Sequence, residues 1–139
     1  MFTFPGPEWW AAFAGAINAS EAYREAAADW EDPIAFEVIA EPDKGVVEPW
    51  FGLLDLWHGE ARAWGVATRE QADAAPYAIR APYSRWKDVI HGELDPVKGM
   101  MQGKLKVRGD LPTIIRYTRA AQELVRLAAS VPTRFADEE

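Results

Sequence analysis

The chain contains no cysteine. That excludes a disulfide framework, a thiolate metal site and a thiol nucleophile, and it fits a reducing compartment. Only two histidines, His58 and His91, occur in 139 residues, and they do not form a ligand pair at helical spacing. A long hydrophobic run is also missing. The longest, Trp9 to Ile17, is about half of the ~20 residues that a bilayer span needs, so no stable membrane insertion is expected. No Lys or Arg precedes that run and Pro5 and Pro7 interrupt the segment before it, so it does not read as a secretory signal. The C-terminal residues match no receptor-read address, and a soluble cytoplasmic protein is expected. Basic charge is in deficit: the net charge is −7, and the cations are scattered among more numerous acids. Nucleic acid is therefore not an expected partner, because phosphate neutralisation needs clustered Lys and Arg.

Tryptophan, by contrast, is abundant, with seven at positions 9, 10, 30, 50, 57, 64 and 86. Such residues build either a bulky core or an aromatic-walled cavity, since each supplies apolar area with one polar handle. The length fits a single domain, 1–139, able to bury a sizeable core without staples.

Pro7 opens a helix on which Trp9, Phe13 and Ile17 recur every fourth residue beside Trp10. Asn18 with Glu21 resembles a capping box for a second helix reaching Trp30. The period then changes to two: Ile34, Phe36 and Val38 alternate with Ala35, Glu37 and Ile39, predicting a strand. Pro42-Asp43-Lys44-Gly45 is turn chemistry. Trp50–His58 and Ala61–Thr68 are predicted to form a hairpin. In its second strand Ala61, Ala63, Gly65 and Ala67 share one face, leaving room for a close-packed helix or a groove. A polar linker, 69–75, leads to a fourth strand, 77–81. Helical spacing returns at Trp86, Val89 and Ile90 and stops at Gly92. Asp95-Pro96 opens a short helix with Met100 and Met101, and Leu105 and Val107 mark a fifth strand. Asp110 is the expected cap of a long last helix, 111–129, with Ile114, Tyr117, Thr118, Ala121, Leu124, Val125 and Ala128 on one face. This order predicts an α+β fold: about five strands in a mainly antiparallel sheet, covered on one face by helices.

Residues 86–110 carry a recognisable pattern: an apolar helix ending at Gly92, the Asp95-Pro96 opening, Met100-Met101, Gly103-Lys104-Leu105-Lys106-Val107 and Gly109-Asp110 before an apolar helix. This pattern resembles the sterol carrier protein 2 family of lipid-binding domains. The resemblance extends over residues 20–130, with 1–18 as a variable lead-in helix. It implies a fold with an internal apolar cavity and binding or transfer of sterols, fatty acyl compounds, isoprenoids or another bulky apolar ligand, without cofactor or catalysis. The peroxisomal tripeptide of eukaryotic members is missing, so peroxisomal targeting is not implied.

Periodicity nominates Trp86, Ile90, Met100, Met101, Ile114, Thr118, Ala121 and Val125 as cavity-lining residues; methionine pairs suit a wall that adapts to guests of different shape. Two other readings stay open. One is an enzyme or accessory protein acting on an apolar metabolite through Asp55, set in an apolar strand, or His58. The other is an interaction scaffold or weak homodimer using the Trp9, Phe13 and Ile17 face. His91 reads as a helix-end residue.

Overall fold

The computed structural model describes residues 1–138. Chain order is β1 (Phe2–Thr3), α1 (Pro7–Asn18), α2 (Glu21–Ala26), β2 (Pro33–Ile39), a 3-10 turn (Pro42–Lys44), β3 (Trp50–Trp57) and β4 (Glu60–Ala67). It continues with α3 (Arg69–Ala74), β5 (Tyr77–Pro82), α4 (Tyr83–Ile90), α5 (Pro96–Met101), β6 (Lys106–Arg108), α6 (Leu111–Arg116), α7 (Thr118–Ser130) and β7 (Thr133–Arg134). The five-stranded sheet runs β4-β3-β2-β5-β6. Only β2 and β5 are parallel neighbours, so the sheet is mixed, with antiparallel pairing elsewhere. β1 and β7 form a separate parallel pair that ties the two ends of the chain together.

The period-two pattern of β2 points Ile34 and Val38 into one core, which α1 and α7 close from above. α7 packs against α1, α2, α4, α5 and α6, making it the hub of the helix layer. The opposite sheet face is also partly covered. Residues 69–75, expected to be a polar linker, include α3. The Thr68 side chain accepts from Gln71 N–H while the Gln71 side chain returns to Thr68 N–H, a complete capping box. Ala72 and Ala75 pack there on Ala35, Phe51 and Leu53.

Several other local expectations are corrected by the structure. Asn18 does not cap the second helix. Its amide instead brackets Ala61 of β4, donating to the carbonyl at 3.1 Å and accepting the N–H at 2.8 Å. Ser20 takes the capping role, accepting from Tyr23 N–H, and α2 ends at Ala26 rather than at Trp30. The long last helix is broken at Tyr117 (φ −104°, ψ 32°) into α6 and α7. Thr118 turns its hydroxyl onto the Ile115 carbonyl, and the Tyr117 ring meets Trp30 edge-on at 5.1 Å. A side chain competing for a backbone carbonyl and an aromatic anchor together outweigh helix continuity. Asp110 stands at the N-cap position of α6 but makes no cap bond; its carboxylate accepts from the Thr113 hydroxyl.

The small-residue row of β4 is split by a register shift at Asp55/Leu56. Ala61 pairs with Leu56 on the core side, while Ala63 pairs with Asp55 on the outer face. Trp9, Phe13 and Ile17 are 2%, 5% and 0% exposed, so the face nominated for a scaffold or homodimer contact belongs to the core. No helix among the described residues is long and apolar enough to cross a membrane.

α1 approaches the sheet closely because Gly52 has no side chain. A Cβ there would stand 2.1 Å from Cζ2 of the Trp10 ring. Gly15, on the exposed side of the same helix, meets nothing within 4 Å. Gly52→Ala is therefore expected to destabilise the protein by about 1–3 kcal/mol through overpacking. Gly15→Ala should stabilise it by roughly 0.5–1 kcal/mol through helix propensity. Equilibrium urea unfolding of the two variants checks the opposite signs.

Candidate functional site

Between the helix layer and the core face of the sheet lies a cavity of about 120 Å³. α1 contributes Trp9, Trp10 and Phe13 to its wall, α2 contributes Tyr23, and the loop before β2 contributes Trp30. The sheet supplies Ile34, Phe36, Val38, Leu56 and Ile79. α4 supplies Trp86, Val89 and Ile90, and α5 supplies Pro96 and Met100. Leu105, Ile114 and Tyr117 continue the wall into Ala120, Ala121, Leu124, Val125 and Ala128 of α7. None of these side chains is charged.

The void follows from where large and small residues fall. Three alanines of α7 face it, leaving volume that longer side chains would fill. Three of the four indoles in the wall are tied at the rim and cannot slide inward. Trp9 Nε1 donates to Thr133 Oγ1 at 2.9 Å, Trp30 Nε1 to the Asp32 carbonyl at 2.6 Å, and Trp86 Nε1 to the Glu37 carbonyl at 2.9 Å. Tyr117, Ala121, Leu124 and Val125 are only half-buried, so the cavity comes nearest to solvent along α7. A side-chain bond from Gln122 Nε2 to Asp95 Oδ1, at 3.3 Å, joins α7 to the N-cap of α5 at that rim.

Of the residues nominated by periodicity, Trp86, Ile90, Met100, Ile114, Ala121 and Val125 come together on the cavity wall. Met101 and Thr118 do not. Met101 is 65% exposed on the outer side of α5, and Thr118 begins α7 with its hydroxyl bound to the backbone. Four of the seven tryptophans line the cavity, whereas Trp50, Trp57 and Trp64 are exposed. Sequence reasoning missed the contribution of α1, along with Tyr23 and Trp30. The signal available was the aromatic density of 9–13, which is excessive for a lead-in helix.

Asp55 and His58, the groups weighed for catalysis, do not line the cavity. Asp55 lies on the outer sheet face in an ion pair with Arg62 at 3.2 Å, and Arg62 also covers the Trp57 ring at 4.3 Å. His91 caps the end of α4 and stacks near Phe135, at 5.0 Å between centroids. Among the described residues no cluster of His, Asp or Glu could hold a metal ion. A second cleft, of about 180 Å³, lies on the other sheet face between α3 and β6. Its Arg108 is held by the Ala72 and Ala75 carbonyls, both at 2.8 Å, and its Arg80 pairs with Glu37 at 3.5 Å.

His58 acts at a distance, as a latch on one cavity wall. It sits in the β3–β4 turn with Gly59, both at positive φ, as a two-residue hairpin requires. Its N–H donates to the Trp30 carbonyl at 2.7 Å, and its ring spans from the Ala28 carbonyl (Nδ1, 2.7 Å) to the Glu31 carboxylate (Nε2, 2.8 Å). Both ring partners are acceptors, so only the doubly protonated imidazolium satisfies both. The hydrogen bond to Glu31, then that to Ala28, raises its pKa above the ordinary 6.5. The contribution of this latch is fully present below about pH 6.5 and is lost as pH rises through the raised native value. NMR titration should find the His58 midpoint above 6.5, and Glu31→Gln should move it down; an unchanged midpoint in the variant would refute the latch.

Residues 13–122 match the SCP-2 sterol transfer family. A crystal structure of sterol carrier protein 2 is 34% identical, with a TM-score of 0.81, over 90% of this chain and 96% of that one. A solution structure of a conserved hypothetical protein from Thermus thermophilus, described as possibly a sterol carrier protein, is 35% identical. Its TM-score is 0.80, over 91% of this chain and 88% of that one. Apo sterol carrier protein 2 from Yarrowia lipolytica, at 15% identity and a TM-score of 0.58, shares the fold over 86% of this chain and 88% of its own. No curated protein sequence matches significantly.

Proposed function

The chain belongs to the SCP-2 sterol transfer family, and on that premise we propose that it acts as a single lipid-binding domain, taking up and transferring an apolar, lipid-like molecule in the cavity beneath α7. The observation that carries this reading is an internal space walled by apolar and aromatic side chains, with no charged group among them. Apolar cavities of this kind stay dry and accept apolar guests. The two relatives above 30% identity bear the name of sterol carrier, the second as a possibility, and they support the same class of guest.

Size adds a condition. The cavity, at about 120 Å³, is smaller than the roughly 300–1,000 Å³ of a site that engulfs a drug-sized ligand. A bulky guest therefore enters only if a wall yields. α7 is the wall that can do so: it is bounded by the break at Tyr117 and by Val131-Pro132, and its half-buried residues already border solvent. Met100 supplies adaptable packing on the facing helix.

Binding alone is the proposed role. Neither Asp55 nor His58 borders the cavity, and the wall offers no general base or nucleophile other than the weakly acidic phenols of Tyr23 and Tyr117.

Displacement of a fluorescent apolar probe by long-chain and polycyclic lipids tests the reading. Wild-type protein should bind at least one such lipid. Ala121→Trp, which fills the void from α7, should weaken binding by at least about tenfold, or ~1.4 kcal/mol, while cooperative unfolding is retained. Absence of lipid binding by the wild type, or equal binding by a folded Ala121→Trp variant, would overturn the proposal.

A further inference from the structure

Charge is unevenly placed along this chain. Residues 1–95 carry seventeen acids against seven cations, whereas 96–134, which span α5, β6, α6, α7 and β7, carry eight cations against two acids. A net charge of −7 thus contains a basic segment. That segment is also largely unneutralised. Of its eight cations only Arg126 pairs with a carboxylate among the described residues, that of Glu123 at 2.7 Å. Before residue 96, by contrast, Arg24, Arg62, Arg80 and Lys87 all have such partners.

The fold gathers part of this charge at the cavity rim. Arg119, Gln122 and Arg126 share the exposed side of α7, while Ala121, Leu124 and Val125 of the same helix border the cavity. Gln122 donates to Asp95 at 3.3 Å, and Asp95 accepts from Lys98 N–H at 3.0 Å. This short chain of bonds sets Lys98 of α5 and the two arginines of α7 on either side of the α5–α7 seam. Met101 lies three residues beyond Lys98 on the outer side of α5 and is 65% exposed, whereas Met100 turns into the cavity. At the end of α6, Ile115 is 38% exposed next to Arg116, itself exposed.

We propose that the face around this seam docks on the surface of an anionic lipid bilayer. Lys98, Arg116 and Arg119 meet the anionic headgroups, and Met101 and Ile115 enter the interface. The inference rests on the lipid-binding reading above and adds where the guest is exchanged: with the cavity mouth turned towards the membrane. Attraction to an anionic surface acts within a Debye length, about 8 Å at physiological salt, so the seam feels that surface more strongly than the acid-rich remainder does. Exposed apolar side chains among the cations favour a bilayer over a nucleic-acid backbone, which has no acyl region to receive them. α1 offers no equivalent face. No cation precedes Arg24, and Trp9, Phe13 and Ile17 are buried.

The test is co-sedimentation of the full chain with vesicles of phosphatidylcholine, alone or with about 30 mol% phosphatidylglycerol, beside a probe-displacement assay of guest binding. Wild-type protein should require the anionic lipid. It should be released as salt rises from about 0.01 M to about 1 M, which shortens the screening length from roughly 30 to 3 Å. Lys98→Gln combined with Arg119→Gln should weaken vesicle binding by about 10- to 30-fold, at roughly fivefold per cation. Met101→Gln should weaken it by about three- to tenfold through lost apolar contact. Lys44→Gln combined with Arg69→Gln removes the same charge from the β2–β3 turn and from α3 across the sheet, and should change binding by less than about twofold. Equal losses in the two double variants, equal binding to phosphatidylcholine alone, or tighter binding to a duplex oligonucleotide with no effect of Met101→Gln would each overturn the inference. Absence of vesicle binding with guest binding intact overturns this inference alone. Vesicle binding by a protein that takes up no guest leaves the docking face standing and overturns the proposed function instead.

Discussion

The structure depends on indoles held at their edges. Trp9, Trp30 and Trp86 each donate to an acceptor outside the cavity, so each ring is fixed at the rim while its carbon face looks inward. Their acceptors lie on different elements: β7, the loop before β2, and β2 itself. Of the three, the Trp86 bond ties the helix layer, through α4, directly to the sheet, and the other two fix their rings to β7 and to the loop before β2. Apolar residues alone would collapse until the core reached the density of an organic crystal. Tethered aromatic posts facing a helix lined with alanine leave a gap.

The ends of the chain support the same wall. β1 pairs with β7, and Phe135 is buried against Phe4 and Tyr83. Lys87 joins α4 to the C-terminal residues through Asp137 at 2.9 Å. α4 carries Trp86, Val89 and Ile90, so the C-terminal segment holds one side of the cavity. The His58 latch holds another, through the Trp30 backbone. α7 is tied at the rim by the Gln122–Asp95 bond, and Tyr117, Ala121, Leu124 and Val125 on its cavity side are only half-buried.

Much of this was legible in the sequence wherever a single local rule decided the outcome. Period-two alternation located β2, His58-Gly59 located the hairpin, and Asp95-Pro96 located α5, whose N-cap Asp95 accepts from Lys98 N–H at 3.0 Å. The Gly and Asp-Pro punctuation of 86–110 carried the family resemblance that the comparisons confirm. Reading failed where two groups competed for one residue. Asn18 had capping chemistry, yet Ala61 in a distant strand offered both a donor and an acceptor. The helical pattern of 111–129 was continuous, but Tyr117 gained a contact with Trp30 that required leaving the helix. The Asp55/Leu56 register shift reversed the facing of Ala61, which no pattern in β4 alone reveals. For the cavity, spacing identified which face of α4 and α7 turned inward. It did not distinguish a filled core from a void, because that depends on residues of α1 and α2 far away in sequence.

The central claim is that apolar guests occupy the space beneath α7. A crystal structure of the protein grown with 1-hexadecanol tests it most directly. Occupancy of that space predicts continuous density for the alcohol between Trp86, Met100 and Ala121, with α7 displaced outward from its position here. Density confined to the outer surface, over a cavity still empty and α7 unmoved, would contradict it.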